Sequence, residues 1–125
     1  MSATNAISFT GSLTVYNPTS MAAAVARSVT DLEFNQTGDM YVQGTMSIAT
    51  SATVIPLGGV TNPHWAFFMN HDDTNYLTIR NGASGADLIQ LFPGECAFVP
   101  LAVAAVPYGI ANTAACELEF MIFMR

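Results

Sequence analysis

Apolar and polar positions alternate with a period of two through most of this chain. Ile7, Phe9, Leu13 and Val15 share one parity with Gly11 among them, while Ser8, Thr10, Ser12 and Thr14 share the other. Successive side chains of a strand point to opposite faces, so the pattern predicts a half-buried strand. Asn17-Pro18-Thr19 breaks it, and Val29 to Phe34 predicts a second strand before a hairpin turn around Gly38. Between them Ser20 to Arg27 has room for two helical turns. An Ala-rich helix this short is marginal in water, so extended or irregular structure is expected there. From Met40 the alternation is long, with Met40, Val42, Met46 and Ile48 set against Tyr41, Gln43, Thr45 and Ser47.

The stretch from His64 to Phe98 organises the rest. Trp65, Phe67 and Met69 alternate with smaller or polar neighbours, and Asn70 to Asn75 gathers residues that hydrogen-bond their own backbone in turns. Tyr76 to Arg80 and Ala86 to Phe92 are two further runs, bounded by Asn81-Gly82 and Pro93-Gly94. An antiparallel meander follows, with Trp65, Phe67, Leu77, Ile79, Ile89 and Leu91 assigned to the core. Glu95 to Val99 is another strand. In the closing CELEFMIFMR, Leu118, Phe120, Ile122 and Met124 oppose Glu119, Met121 and Phe123, so both faces are apolar from Met121 onward. That strand is expected in the middle of a sheet or under another subunit.

Eight or so short strands, with turn signals every eight to twelve residues, predict an all-β fold: an antiparallel β-sandwich, jelly-roll-like. An immunoglobulin arrangement fits less well, because the one tryptophan, Trp65, precedes both cysteines. A single domain over 1–125 is expected, with an irregular segment around 17–28.

Composition changes the picture in one respect. Charged residues are 10% of the 125, lysine is absent, and Arg27, Arg80 and Arg125 are the only basic side chains. Soluble domains carry about a quarter charged residues. With 51% hydrophobic residues and a mean hydropathy of +0.38, part of the surface is expected to be buried against other chains. Met121 and Phe123, which face away from the predicted core, are the leading candidates for that interface, joined by Met21 and Val25 in the small-residue segment. Uncharged stretches at Met40 to His71 and Cys96 to Cys116 are interrupted by glycines and prolines, so no spanning helix is expected. The N-terminal MSATNAISFTGS has neither a basic region nor an apolar core, so no secretory signal is expected. A net charge of −6 speaks against nucleic acid or an anionic membrane as partner.

No catalytic constellation emerges, and the chain reads as a non-enzyme without cofactor or metal. The Asn70–Asn75 loop offers hard oxygen ligands, as a calcium-dependent lectin would, but its spacing is not that of an EF-hand and no glycine sits where that loop needs one. Turn chemistry explains it. His64 and His71 are seven apart, which puts the rings on opposite faces of a regular strand. Cys96 and Cys116 read as small buried hydrophobes, with a single bridge between them left open.

The segment Asn70-x-Asp72-x-x-Asn75-Tyr76-Leu77-x-Ile79, then Leu91-x-Pro93-Gly94-Glu95, then Ala111-Asn112-Thr113 before a final apolar strand, resembles small β-sandwich structural proteins of tailed bacteriophages. Where such proteins carry a basic residue after the Pro-Gly-Glu strand, Pro100-Leu101 stands here. The resemblance implies a virion component at the capsid surface, made in the host cytoplasm: a decoration or cement protein, self-associated as a trimer and bound to the major capsid protein. A neck or tail component is the variant of that reading, and a carbohydrate-binding module using the Asp72 loop is the alternative from another class.

Overall fold

The computed structural model describes residues 6–16, 19–20, 23–35, 41–102 and 104–124. The chain divides into two compact units, Met1–Thr37 and Gly38–Arg125, where the sequence reading treats 1–125 as one domain. The first unit is a hairpin of β1 (Ala6–Tyr16) and β2 (Ala23–Asn35), paired antiparallel. From Ala23 the segment expected to be extended or irregular is strand, since β2 begins there and runs through the predicted Val29–Phe34 strand. Pairing slips by one residue between Phe9↔Leu32 and Gly11↔Val29. The Phe9 ring lies across the gap that Gly11 leaves, so a Cβ at Gly11 would come within 2.9 Å of it. Leu13, expected on a covered face, is 65% exposed, because a two-stranded sheet has no second layer of its own to cover it.

The second unit contains β3 (Tyr41–Ile48), β4 (Thr53–Val54), β5 (Pro63–Asn70), β6 (Leu77–Asn81), β7 (Asp87–Leu91), β8 (Cys96–Pro100), β9 (Pro107–Ala111) and β10 (Cys116–Met124). They form two antiparallel four-stranded sheets, ordered β3-β10-β5-β8 and β4-β9-β6-β7. This chain order, split between two packed sheets, is the double Greek key of an eight-stranded jelly roll. No helix occurs among the described residues. As expected, β10 lies in the middle of its sheet, with β3 on one side and β5 on the other.

The core lies between the sheets. Ile48, Phe68, Leu118 and Ile122 reach it from one sheet, and Leu77, Ile79, Leu91 and Ala111 from the other. Each large side chain fully withdrawn from water contributes about 1.5–3 kcal/mol. The sheets approach closely where Ile48 packs on the backbone of β9: a Cβ at Gly109 would lie 3.0 Å from its Cδ1. In the turn after β7, Gly94 takes φ 79°, a region that side-chain-bearing residues avoid.

One strand faces the other way from expectation. In β5 it is Ala66, Phe68 and Asn70 that are buried, while Trp65, Phe67 and Met69 are only partly covered on the opposite face. Trp65 and Phe67 therefore leave the predicted core. Both parities of HWAFFMN are apolar, so alternation gives no preference, and ring size pointed to the wrong set. Of the other predicted core residues, Leu77, Ile79 and Leu91 are buried and Ile89 packs against the cluster.

Candidate functional site

The outer face of the β3-β10-β5-β8 sheet is built by parity. On β10, Cys116, Leu118, Phe120 and Ile122 point into the core, so Glu117, Glu119, Met121 and Phe123 point out. Register places Met121 between Gln43 of β3 and Phe67 of β5, and Phe67 beside Phe98 of β8. Phe123 pairs with Tyr41, with ring centroids 6.0 Å apart and planes tilted by 34°. Trp65 stacks on Phe98 at 4.8 Å, 16° from parallel. Met121 and Phe123 are partly exposed and Tyr41 is 52% exposed. The face is graded along the strands. Its other end carries Ser47, Glu117, His71 and Glu119, where His71 Nε2 lies 2.6 Å from Glu119 Oε1. An apolar half beside an ionisable half suits a contact that buries the first and leaves the second in water.

Of the interface candidates, the structure thus brings Met121 and Phe123 together on this face. Met21 lies outside the described residues, and Val25 sits in β2 opposite Val15 with its side chain outside them. The sequence reading missed Tyr41, Trp65, Phe67 and Phe98 as members of the face. No sequence signal separates Trp65 and Phe67 from Ala66 and Phe68, because both parities of the strand are apolar.

The second cluster lies where the three turn motifs meet. Asn70 is fully buried. Its Nδ2 donates to the carbonyls of Leu91 and Asn75, each at 3.0 Å, and its Oδ1 accepts from the Asp72 N–H at 2.9 Å. Its backbone N–H reaches Glu95 O, and its carbonyl accepts from Gly94 N–H. Thr113 Oγ1 donates to Asn75 Oδ1 at 2.7 Å, and the Asn112 N–H donates to Tyr76 O. One knot of hydrogen bonds therefore ties the β5–β6, β7–β8 and β9–β10 turns together.

Asp72 Oδ2 accepts from the N–H groups of Thr74 and Asn75. These bonds, Asn75's first and Thr74's second, hold its carboxyl below the ordinary value. Among the described residues no three His, Cys, Asp or Glu side chains converge as metal ligands would. Cys116 is buried, with Sγ 3.6 Å from Tyr76 O, and burial, then the Asp72 charge, push its thiol up. Cys96, expected to be buried, is exposed, because it opens β8 on the outer edge of the sheet.

No family model matches the chain, and neither does any curated protein or any solved structure.

Proposed function

We propose that this chain is a structural protein of a phage particle: a decoration or cement protein that self-associates and binds the outside of the head, against the major capsid protein. One observation carries the reading. The apolar half of the outer sheet face, from Tyr41 and Phe123 across Met121 and Phe67 to Phe98 and Trp65, lies on a chain with 10% charged residues and no lysine. Such a face is costly to leave in water, and burial against other chains removes that cost. The turn motifs that carry the resemblance support the same reading, and the threefold order rests on that resemblance. The jelly roll is compatible with it, since capsid proteins use this architecture, although the same architecture serves lectins. The carbohydrate reading loses ground because Asp72 Oδ2 is already engaged by two backbone N–H groups. No catalytic role is assigned.

Phe123→Asp tests this reading. It places a charge in the contact and weakens association by a few kcal/mol per copy. Light scattering at micromolar concentration, together with co-sedimentation on phage heads lacking the protein, reads the effect. The wild type is expected to be oligomeric and to bind heads, and the variant to lose both. A wild-type monomer that ignores such heads refutes the proposal.

A further inference from the structure

The edges of the two sheets are not alike. β4 offers two residues, β7 carries Asp87 beside a register shift, and β8 is five residues long and ends in Pro100, which has no N–H. These are the devices by which edges are kept from pairing with other chains. β3 has none of them. It is eight residues long, YVQGTMSI, without charge or proline, and it pairs with β10 from Tyr41 to Ile48 with no slip.

The phase of the hydrogen bonds shows what this edge presents. His71 N–H bonds Glu117 O. Residues in an antiparallel pair alternate between bonded and non-bonded positions, so Glu117, Glu119 and Met121 turn their backbone groups toward β5. Cys116, Leu118, Phe120 and Ile122 then turn theirs toward β3, where their partners are Ile48, Met46, Gly44 and Val42. That leaves Tyr41, Gln43, Thr45 and Ser47 with N–H and C=O directed away from β10. All four residues are exposed, and no described strand lies beyond them.

Resting on the reading of the chain as self-associating, we infer that β3 pairs antiparallel with β3 of a second copy about a two-fold axis at Gly44. In that register Gln43 stands opposite Thr45 and Tyr41 opposite Ser47, so all eight outward N–H and C=O groups bond. Val42 stands opposite Met46 on the inner side and extends the apolar layer. Charge favours a second copy as the occupant. The chain carries −6, yet this edge carries none. The nearest carboxylates, Glu117 and Glu119, lie one strand in on β10. Three strand spacings alone put each at least about 14 Å from its counterpart, beyond a Debye length of about 8 Å in physiological salt. The pairing sets Tyr41 of each copy at the end of the shared ladder, opposite Ser47 of the other, so the outer faces run on from one copy to the next with their apolar halves at opposite ends.

The test is Thr45→Pro. Its N–H points out of the sheet, so proline costs the ladder to β10 nothing while removing a central donor from the edge. Thr45→Lys is the companion, placing a charge on the edge without touching the backbone. Light scattering is expected to give an even-numbered wild-type assembly, a dimer or paired trimers. Both variants are expected to lose the two-fold contact while keeping the wild-type strand spectrum. Hydrogen exchange should show the amides of Gln43, Thr45 and Ser47 protected in the wild type and more so as concentration rises. A wild-type monomer or simple trimer, an unchanged mass for Thr45→Lys, or edge amides that exchange freely at every concentration would overturn the pairing. A trimer that Phe123→Asp dissociates and Thr45→Lys does not would refute the edge and leave the proposed function standing.

Discussion

Replacing Asn70 with alanine tests the knot that ties three turns of the jelly roll together. The side chain makes three hydrogen bonds at 2.9–3.0 Å, to Leu91 O, Asn75 O and the Asp72 N–H, from a position with no exposure. A net contribution of about 1 kcal/mol per bond gives about 3 kcal/mol, and the buried Leu91 carbonyl left without its partner raises this toward 4. That is a large share of the roughly 5–15 kcal/mol a domain has. Urea unfolding followed through Trp65, the sole tryptophan, measures it. Asn112→Ala is the control, because Asn112 is exposed and held through its backbone N–H, so its loss should stay within about 0.5 kcal/mol. Asn70→Asp sharpens the test. A carboxylate of nearly the same shape cannot donate to two carbonyls, and burial beside them raises its pKa above the unfolded value. The stability it contributes in the acid form is present at low pH and lost as pH rises through that raised pKa. Its deficit relative to wild type should therefore shrink on acidification. An Asn70→Ala cost within about 1 kcal/mol of the Asn112→Ala control would refute the account.

Three further outcomes follow from the geometry. Phe68→Ala should cost about 3–5 kcal/mol and Phe67→Ala less than half as much, since Phe68 is fully buried and Phe67 is not; urea midpoints that rank them the other way would restore the sequence-based parity. Asp72 has its pKa lowered by backbone N–H groups, so the stability it contributes is present above the unfolded carboxylate value and lost as pH falls through the folded one; Asp72→Asn should flatten the acid limb of a melting profile, and an unchanged limb would remove Asp72 from the cap. Millimolar calcium should leave the melting temperature where it is, and a rise of several degrees would revive the lectin reading of the loop.

How much of the fold could be read depended on what each strand carries on its second face. In β3 and β10 one parity is clearly more apolar over several residues. Val42, Met46 and Ile48 in the first and Leu118, Phe120 and Ile122 in the second point inward as expected. The loop that follows Asn70 and the Pro93-Gly94 turn were legible because their chemistry is local: an Asx side chain bonding two or three residues on, a glycine at φ 79°. In β5 the signal failed because Trp65, Phe67 and Met69 compete with Ala66 and Phe68, and period-two reasoning has no vote when both parities are apolar. The strand boundary at Ala23 was missed for a related reason, since small residues fit a strand, a short helix or an irregular arm about equally.

The interaction face was half legible for that same reason. Met121 and Phe123 stood out because the row opposite them was unambiguous, whereas Trp65 and Phe67 were assigned inside. Once β5 is turned over, Trp65 and Phe67 leave the core and join the face that Met121 and Phe123 began, so one parity error accounts for both their absence from the face and their place in the predicted core. The edge lay further out of reach. Periodicity tells which way side chains point, but it says nothing about which backbone N–H groups turn toward a neighbour. That phase is fixed only when a pairing partner is known, here by the bond from the His71 N–H to Glu117 O. Two neighbouring residues such as Thr45 and Met46 therefore differ in a way sequence pattern cannot express: proline at the first removes a donor aimed at solvent, and proline at the second removes a bond to β10.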